Sequence, residues 1–207
     1  EQVLDLSKHF QEITVIAPQP KTFGRYPEIE RMKDYVIGNV HVHYPRYFYL
    51  PVGWFRKRIP RFHEISVRRV IDEHDVKFDI VHAHFTNPSG IVGLRIKKEA
   101  SVPMILTIHE NSGWFDREMA LEDERFQEVW RGADIILRAK KDDIERLKPF
   151  NPNVHSMPIG FNSDKLKPIP REKARAEMNI PDRQIVLFSL GNLIKRKGYE
   201  HLIRAVR

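Results

Sequence analysis

The chain has 207 residues, of which 41% are hydrophobic and 30% are charged, and these proportions indicate a globular protein with a sizeable core. Its 35 Lys and Arg residues against 28 Asp and Glu residues give a formal net charge of +7, which favours anionic partners. The absence of cysteine excludes disulfides, thiolate nucleophiles and thiolate metal sites, and no apolar run approaches the roughly 20 residues that span a bilayer. We therefore expect a cytoplasmic protein.

The first 60 residues begin regularly and then lose their pattern. Apolar residues at roughly helical spacing precede the β-branched run ITVI, which predicts a helix followed by a strand. Between residues 19 and 60, only YVIGNVHVHY, at residues 35–44, is typical of paired strands. The aromatic stretch YPRYFYLPVGWF, at residues 44–55, would cost free energy in water, so we expect it to pack as a loop over the domain.

Residues 61–159 alternate between helical and strand patterns. The predicted helices are RFHEISVRRVIDEH, PSGIVGLRIKKEA, MALEDERFQEVWRGA and KKDDIERLKPF, and the predicted strands are FDIVHAHF, MILTIHE, DIILRA and NVHSMPI. Such alternation implies right-handed crossovers and a parallel sheet with helices on both faces. The sequence therefore predicts an α/β fold, a Rossmann-like doubly wound parallel sheet.

A domain boundary is predicted after this region. GFNSDKLKPIPREKAR begins at Gly160 and is rich in turn formers and proline, which are typical of linkers. We predict one domain at residues 1–160 and a linker with the start of a second domain at residues 161–207. The second part contains a predicted helix REKARAEMNI, a strand QIVLFSL, the loop GNLIKRKG and a helix YEHLIRAV.

Ligands of parallel α/β sheets bind where strands end and helices begin, which selects the segments HAHFTNPSG, TIHENSGWF and LGNLIKRKG. His82 and His84 share a strand face and could share a metal, as could His41 and His43. A zinc site also needs a third ligand and supporting partners, which this spacing does not supply. We therefore predict no metal, with His82 packed against a helix and His84 facing the cleft.

Two further patterns at strand ends allow a functional and a structural interpretation. His109 could bond a ligand hydroxyl or transfer a proton, or it could only cap the next turn. The glycines of GNLIKRKG would let backbone amides approach an anion, and Lys195, Arg196 and Lys197 would neutralise it. The segment is neither a Walker loop nor a dinucleotide fingerprint, and as a bare pattern it favours a solvated basic turn.

Four segments in order resemble retaining glycosyltransferases of family 4, which have the GT-B fold. DIVHAHFTNPSGIVGLRIKKEASVPMILTIHE is similar to the family's DIVHAH…PSG…PFILTIHG core. ADIILRAKKDDIERL, MPIGFNSDKLKP and VLFSLGNLIKRKGYEHLIRAV resemble the family's ADIIIAVS, IPNGVD and GRL…KG segments. The resemblance covers residues 78–206 and is loose before residue 60.

The resemblance implies an enzyme of two Rossmann-like domains that moves a sugar from a nucleotide-sugar donor to an acceptor with retained configuration. The N-terminal domain would bind the acceptor, and the C-terminal domain the donor. No cofactor is implied, since the nucleotide-sugar is a substrate and basic side chains stabilise the leaving diphosphate. No metal is implied either.

Residue by residue, the resemblance implies roles for several positions. His109 matches the histidine at the donor sugar and is the catalytic candidate. Gly191 and Lys197 match the donor-phosphate motif, in which Asn192 stands where the family has a basic residue. His84, Glu110 and Asn111 would line the cleft, with Glu110 in place of a small residue. Two further differences from the family are Ile159 and Asn162, which replace the Asn and Asp of the IPNGVD segment.

The family's first strand, its glycine-rich loop and its Glu-x7-Glu signature are not found in this sequence. We therefore expect an acceptor-side domain with a truncated donor domain, inactive alone, whose segment from about Glu172 onward either has few contacts or folds back against the first domain. The alternative is a non-catalytic sugar- or phosphate-binding α/β module. A nucleic-acid partner is not expected, because no RNA-binding signature accompanies the charge.

The acceptor implied by the resemblance is a carbohydrate or a lipid-linked molecule at the cytoplasmic face of a membrane. The stretch WFRKRIPRF, at residues 54–62, combines aromatic and basic side chains and is compatible with a peripheral membrane contact. A basic surface loop anchored by its own aromatic residues explains the same pattern. The sequence is compatible with the membrane contact and with the basic surface loop.

Overall fold

The computed structural model describes residues 2–22, 32–158, 160–163 and 166–206, and Ile159 and part of the predicted irregular region lie outside them. The chain divides into two compact units, Glu1–Gly160 and Phe161–Arg207. The first unit contains the helices α1 (Gln2–Leu6), α2 (Ile59–Glu73), α3 (Ile91–Ala100), α4 (Ser112–Ala120), α5 (Glu124–Gly132) and α6 (Asp142–Leu147). Its strands are β1 (Ile13–Ile16), β2 (Gln19–Lys21), β3 (Tyr35–Ile37), β4 (Val40–His43), β5 (Arg46–Phe48), β6 (Val81–His84), β7 (Met104–Ile108), β8 (Ile135–Arg138) and β9 (Val154–Ser156).

The largest sheet of the first unit is parallel, with strand order β6-β7-β8-β9. Helices connect its strands, as right-handed crossovers require. The remaining described strands form the sheets β1-β4-β3, in which β3 is antiparallel to β4, and β2-β5. The predicted α/β class with a parallel sheet is confirmed.

The main core covers one face of the four-stranded sheet. Alternate residues of β7, Met104, Leu106 and Ile108, are almost fully buried, as the two-residue period of a strand requires. Helical residues packed in the same cluster are Ile91, Leu94, Phe115, Phe126, Val129, Trp130 and Leu147. Burial of this face fixes which side chains of each strand point into the core, because a slip of one residue would turn them to the opposite face.

Two predictions for the first unit are wrong in detail. The predicted helix MALEDERFQEVWRGA is divided between α4 and α5, because Asp123 accepts a hydrogen bond from the backbone N–H of Arg125 and starts a new helix. The region between residues 19 and 60 is more regular than predicted, since β2 and β5 pair and a 3-10 helix spans Gly53–Arg58. β2 and β5 have three residues each, and such short strands pair through the main chain without showing a hydrophobic alternation in the sequence.

The second unit contains α7 (Arg171–Glu177), a 3-10 turn at Lys195–Lys197 and α8 (Tyr199–Ala205). The predicted strand QIVLFSL is wrong, because residues 184–190 carry no strand pairing in the structure. Ile185, Phe188 and Leu190 are 87%, 82% and 86% exposed, in agreement with the weak support expected for this segment. A strand requires a partner for its backbone groups, and an apolar run alone does not supply one.

Candidate functional site

The candidate site lies where β7 and β8 end. Because neighbouring parallel strands end at the same edge, the segments 108–112 and 138–140 come together and line a cleft of about 250 Å³. His109, Glu110 and Asn111 all line it, whereas His84 lies beside His109 at the end of the neighbouring strand β6. The structure therefore brings the sequence-predicted residues of the first unit into one place.

His109 is exposed at this edge and bonded to His84. Nδ1 of His84 lies 2.8 Å from Nε2 of His109, and the two rings are parallel to within 3°. Burial, followed by the charge of Arg138, lowers the pKa of His109. The alternative that His109 caps the next turn is wrong, because the side chain of Asn111 accepts the bond from the backbone N–H of Trp114 at the start of α4.

Glu110 turns away from the open side of the cleft. Its side chain is 9% exposed, and Oε1 accepts a 2.8 Å hydrogen bond from the backbone N–H of Thr86. Its other oxygen, Oε2, is buried and has no hydrogen-bond partner in the described part of the chain. Burial raises the pKa of Glu110, since desolvation disfavours the charged form. The carboxyl group thus fastens the β6–α3 turn beneath the site.

Arg138 is a site residue that the sequence analysis missed. Its guanidinium donates from Nε and Nη2 to Oδ2 of Asp143, at 3.0 and 2.6 Å. From Nη1 it donates to the main-chain carbonyls of Ile108 and Glu110, at 3.0 and 2.6 Å. It therefore fixes the backbone on both sides of His109. The signal available in the sequence was an arginine inside an apolar strand with an acidic residue five positions later.

Glu118 of α4 is a second acid near the site, and it is half-buried. Burial, followed by the charge of Glu110, raises its pKa to about 8. It is hydrogen-bonded to the side chain of Thr86, whose hydroxyl oxygen accepts a 3.1 Å bond from the indole Nε1 of Trp130. Like Glu110, it has a buried oxygen without a hydrogen-bond partner among the described residues. The charge of Glu110 therefore adds to burial in favouring the neutral form of Glu118.

The chain bends sharply between β6 and α3 to form this arrangement. Phe85 adopts a φ of 73°, which is uncommon for a residue other than glycine. Gly90, at the end of the turn, is required by close packing, because a Cβ there would lie 2.8 Å from Cγ1 of Val129 and 3.0 Å from the carbonyl oxygen of Phe85. The segment PSG in the sequence reflects this constraint.

The two histidine pairs predicted from spacing bond to protein groups. Nε2 of His82 lies 2.8 Å from the hydroxyl oxygen of Thr107, and Nδ1 of His43 lies 3.1 Å from Oδ2 of Asp34. His82 therefore rests against a neighbouring strand rather than the predicted helix. Over the described ranges, no group of three or more histidine or acidic residues is arranged to hold a metal ion.

The candidate phosphate loop lies in the second unit and is exposed. Gly191 and Lys197 are neighbours, since a Cβ at Gly191 would lie 3.7 Å from both Cδ and Cε of Lys197. The hydroxyl of Tyr199 donates a 2.8 Å bond to the carbonyl oxygen of Gly191, and the carbonyl oxygen of Asn192 accepts from Ile194. The loop therefore closes on itself and leaves the Lys197 ammonium group at its surface.

The stretch WFRKRIPRF contains two different aromatic environments. Trp54 is 60% exposed, and the guanidinium of Arg58 lies 5.1 Å from its ring centre. Phe55 is 2% exposed and packs against Phe48 and Phe62. Of these two adjacent aromatic residues, Trp54 is therefore the one that a partner could contact. Among the described residues, no helix is both long and apolar enough to cross a bilayer.

Comparison with known proteins places these features in a family. The sequence model of Glycosyltransferase Family 4 matches residues 3–164. The chain is 25% identical, over 99% of its length, to the putative teichuronic acid biosynthesis glycosyltransferase TuaC of Bacillus subtilis, of which it covers 56%. It is also 28% identical, over 68% of its length, to the D-inositol 3-phosphate glycosyltransferase of Corynebacterium jeikeium, of which it covers 37%. The chain thus spans about half, or less, of the length of these relatives.

Proposed function

The chain belongs to glycosyltransferase family 4, and we propose that it forms the acceptor-side part of an enzyme that transfers a sugar from a nucleotide-sugar to an acceptor. The observation that carries the proposal is the fixed position of His109 in the cleft. The ring is bonded to His84, and the backbone on both sides is held by Arg138. A polar group held from two sides is preorganised for binding at a reaction centre.

The proposed reaction forms a bond from the acceptor oxygen to the anomeric carbon and breaks the bond from that carbon to the nucleoside diphosphate. The acceptor's proton leaves with the diphosphate, which departs as an anion. His109 would bond a hydroxyl of the donor sugar, since neutral imidazole both donates and accepts. We propose that the configuration is retained. No cofactor is required, because the donor is itself a substrate.

The phosphate groups of the donor are assigned to the loop of the second unit. We propose that Gly191 lets the backbone approach the diphosphate and that Lys197 neutralises it, with Asn192 as a neutral hydrogen-bonding neighbour. The adjacency of Gly191 and Lys197 supports this assignment. Residues 161–207 would then belong to the donor-binding part of the enzyme. Cationic groups at a leaving diphosphate lower the barrier by stabilising the charge that develops there.

The acceptor is proposed only by class. The names of the relatives refer to teichuronic acid biosynthesis and to D-inositol 3-phosphate, and the two names therefore do not agree on one substrate. We therefore propose a carbohydrate or lipid-linked acceptor, reached from the cytoplasm. The whole enzyme's activity is part of this proposal, since the chain covers 56% of TuaC.

A peripheral membrane contact is proposed at Trp54. Its exposed ring lies next to the exposed cations Arg56, Lys57 and Arg58, a combination that suits an anionic membrane interface. Flotation with anionic liposomes tests this contact, using Trp54→Ala and the exposed Ile65→Ala as its matched control. We expect only Trp54→Ala to reduce flotation. Equal flotation of both variants and the wild type would remove the membrane contact from the proposal.

A panel of nucleotide-sugars, assayed with the complete product of the gene, tests the proposed reaction. We expect hydrolysis or transfer with one donor and a product whose anomeric configuration, read by NMR, matches that donor. The 207-residue chain by itself should bind a sugar or phosphate ligand without turnover. Binding without turnover by the complete gene product as well would instead identify the second candidate, a non-catalytic sugar- or phosphate-binding module.

A further inference from the structure

Four polar residues form a row on one face of the parallel sheet. His82 and His84 belong to β6, Thr107 belongs to β7, and His109 directly follows the last residue of β7. His84 and Thr107 are direct partners in the ladder, so all four side chains share a face. Nε2 of His82 contacts Thr107, and Nδ1 of His84 contacts Nε2 of His109, each at 2.8 Å. The two contacts therefore link β6 to the end of β7 at successive positions along the row.

The contact between His84 and His109 contains one hydrogen. A 2.8 Å distance between two ring nitrogens requires one donor and one acceptor, and each neutral ring carries one N–H. One additional proton therefore leaves an N–H on both outer nitrogens, Nε2 of His84 and Nδ1 of His109, while the contact remains. A second proton would bring two N–H groups face to face and break the contact.

We propose that His84 is a positioning residue for His109, holding its Nε2 in both the neutral and the singly protonated state of the pair. The ring of His109 keeps its place at the cleft. Its Nδ1 either donates or accepts in the neutral pair, and it can only donate in the singly protonated pair. The ligand that Nδ1 of His109 would contact depends on the proposed glycosyltransferase function, whereas the pairing of His84 with His109 does not. A donor group that is charged without moving suits a diphosphate-sugar.

The surroundings of the pair oppose the second proton. Burial lowers the pKa of His82 to about 4, so this ring, stacked 4.3 Å from His84, stays neutral. Burial and then His109 lower the pKa of His84, and Arg138 of β8 acts on His109. The other ionisable groups near the cleft are Lys140 at its rim, Asp143, which is paired with Arg138, and the acids Glu110 and Glu118, whose pKa values are raised. Of these, the acids would favour added positive charge where they are ionised.

Nitrogen-15 NMR titration of the histidine rings of this chain tests the pairing. In the wild type we expect His84 and His109 to titrate in two steps at least about one pH unit apart, as interacting sites do. In His84→Phe, which keeps a ring against His82 but removes the bond, His109 should titrate in one step and show both tautomers. His84→Gln, whose amide both donates and accepts, should restore a single arrangement of His109.

A matched control is His82→Phe, which removes a titratable ring on the same strand and leaves the His84–His109 bond. We expect it to retain the two-step curve of the pair. The indole N–H signal of the buried Trp130 reports whether each variant is folded. Independent single-step titration in the wild type, or a His109 curve unchanged in folded His84→Phe, would overturn the inference.

Turnover separates this inference from the proposed function. In the complete gene product, we expect His84→Phe to lower kcat roughly tenfold through lost positioning and His84→Gln to recover most of it. Coupled titration without turnover of any nucleotide-sugar would support the pairing and reject the proposed function. Turnover with uncoupled titration would reject the pairing and leave the function in place.

Discussion

Arg138 and Asp143 form a buried ion pair at the end of β8, with 2.6 Å between Nη2 and Oδ2 and side chains that are 3% and 1% exposed. Because Nη1 of the same guanidinium bonds the carbonyls of Ile108 and Glu110, the pair connects the ends of two strands. The orientation of His109 therefore depends on a side chain of the neighbouring strand.

Asp143→Ala should be strongly destabilising, because it leaves the buried Arg138 charge without its carboxylate. We expect the free energy of unfolding to fall by about 3–5 kcal/mol, measured by urea denaturation. Asp116→Ala is the control, since it removes an exposed 2.7 Å partner of Arg146 and should cost less than about 1 kcal/mol. Equal losses for the two variants would show that the buried pair does not hold the strand ends.

Gly90→Ala should also destabilise the first unit, because the new Cβ would meet Val129 at 2.8 Å and the Phe85 carbonyl at 3.0 Å. Overpacking of this kind costs about 1–3 kcal/mol. Gly53→Ala makes the same chemical change where no atom lies within 4 Å of the Cβ, so its unfolding midpoint should stay near wild type. If Gly90→Ala unfolds at the wild-type midpoint, the turn is less tightly packed than the structure indicates.

Stability should fall between about pH 4.5 and pH 8 through Glu118. Its pKa is raised from 4.5 to about 8, so in this range the unfolded chain has lost a proton that the folded chain keeps. The contribution of Glu118 to the free energy of unfolding therefore decreases as the pH rises through this window, whereas His63 and His82, whose pKa values burial lowers to about 4, contribute stability that rises with pH. The difference in stability between wild type and Glu118→Gln should therefore change with pH across the window, and the difference between wild type and Glu122→Gln, an exposed neighbour, should stay constant. A constant difference for Glu118→Gln as well would mean that Glu118 is charged in the folded protein.

Lys197→Met should weaken donor binding by the complete gene product about tenfold, or about 1.4 kcal/mol, because the Lys197 side chain, which carries the ammonium group, packs beside Gly191. Lys195→Met removes the same charge from the same turn and should have a smaller effect. Calorimetry with the donor found in the nucleotide-sugar panel measures both. Equal weakening would indicate that only the net charge of the turn attracts the donor.

Much of the fold follows from local patterns in the sequence. The alternation of helix and strand over residues 61–159 predicts the parallel sheet, and strand ends predict that His84 and His109 lie at one edge. These predictions succeed because apolar periodicity and the right-handed crossover rule leave few possible arrangements of the helices and strands. Pairing between the two rings depends on strand register, which sequence spacing does not reveal.

Other features depend on tertiary contacts that cannot be predicted from a single sequence. The run QIVLFSL has every local property of a strand, yet no strand pairs with it in the structure. Trp54 and Phe55 are adjacent and equally aromatic, but only one is buried. The pKa of Glu118 likewise depends on burial next to Glu110 rather than on neighbours in the chain.

The measurement that most directly tests the assignment of His109 is donor turnover by the complete gene product and its His109→Ala variant at matched protein stability. We expect His109→Ala to lower kcat/KM for the nucleotide-sugar by at least about 100-fold, as loss of a positioned polar group at a reaction centre does, while the unfolding midpoint stays near wild type. Turnover by the folded variant at the wild-type rate would show that His109 does not act at the reaction centre.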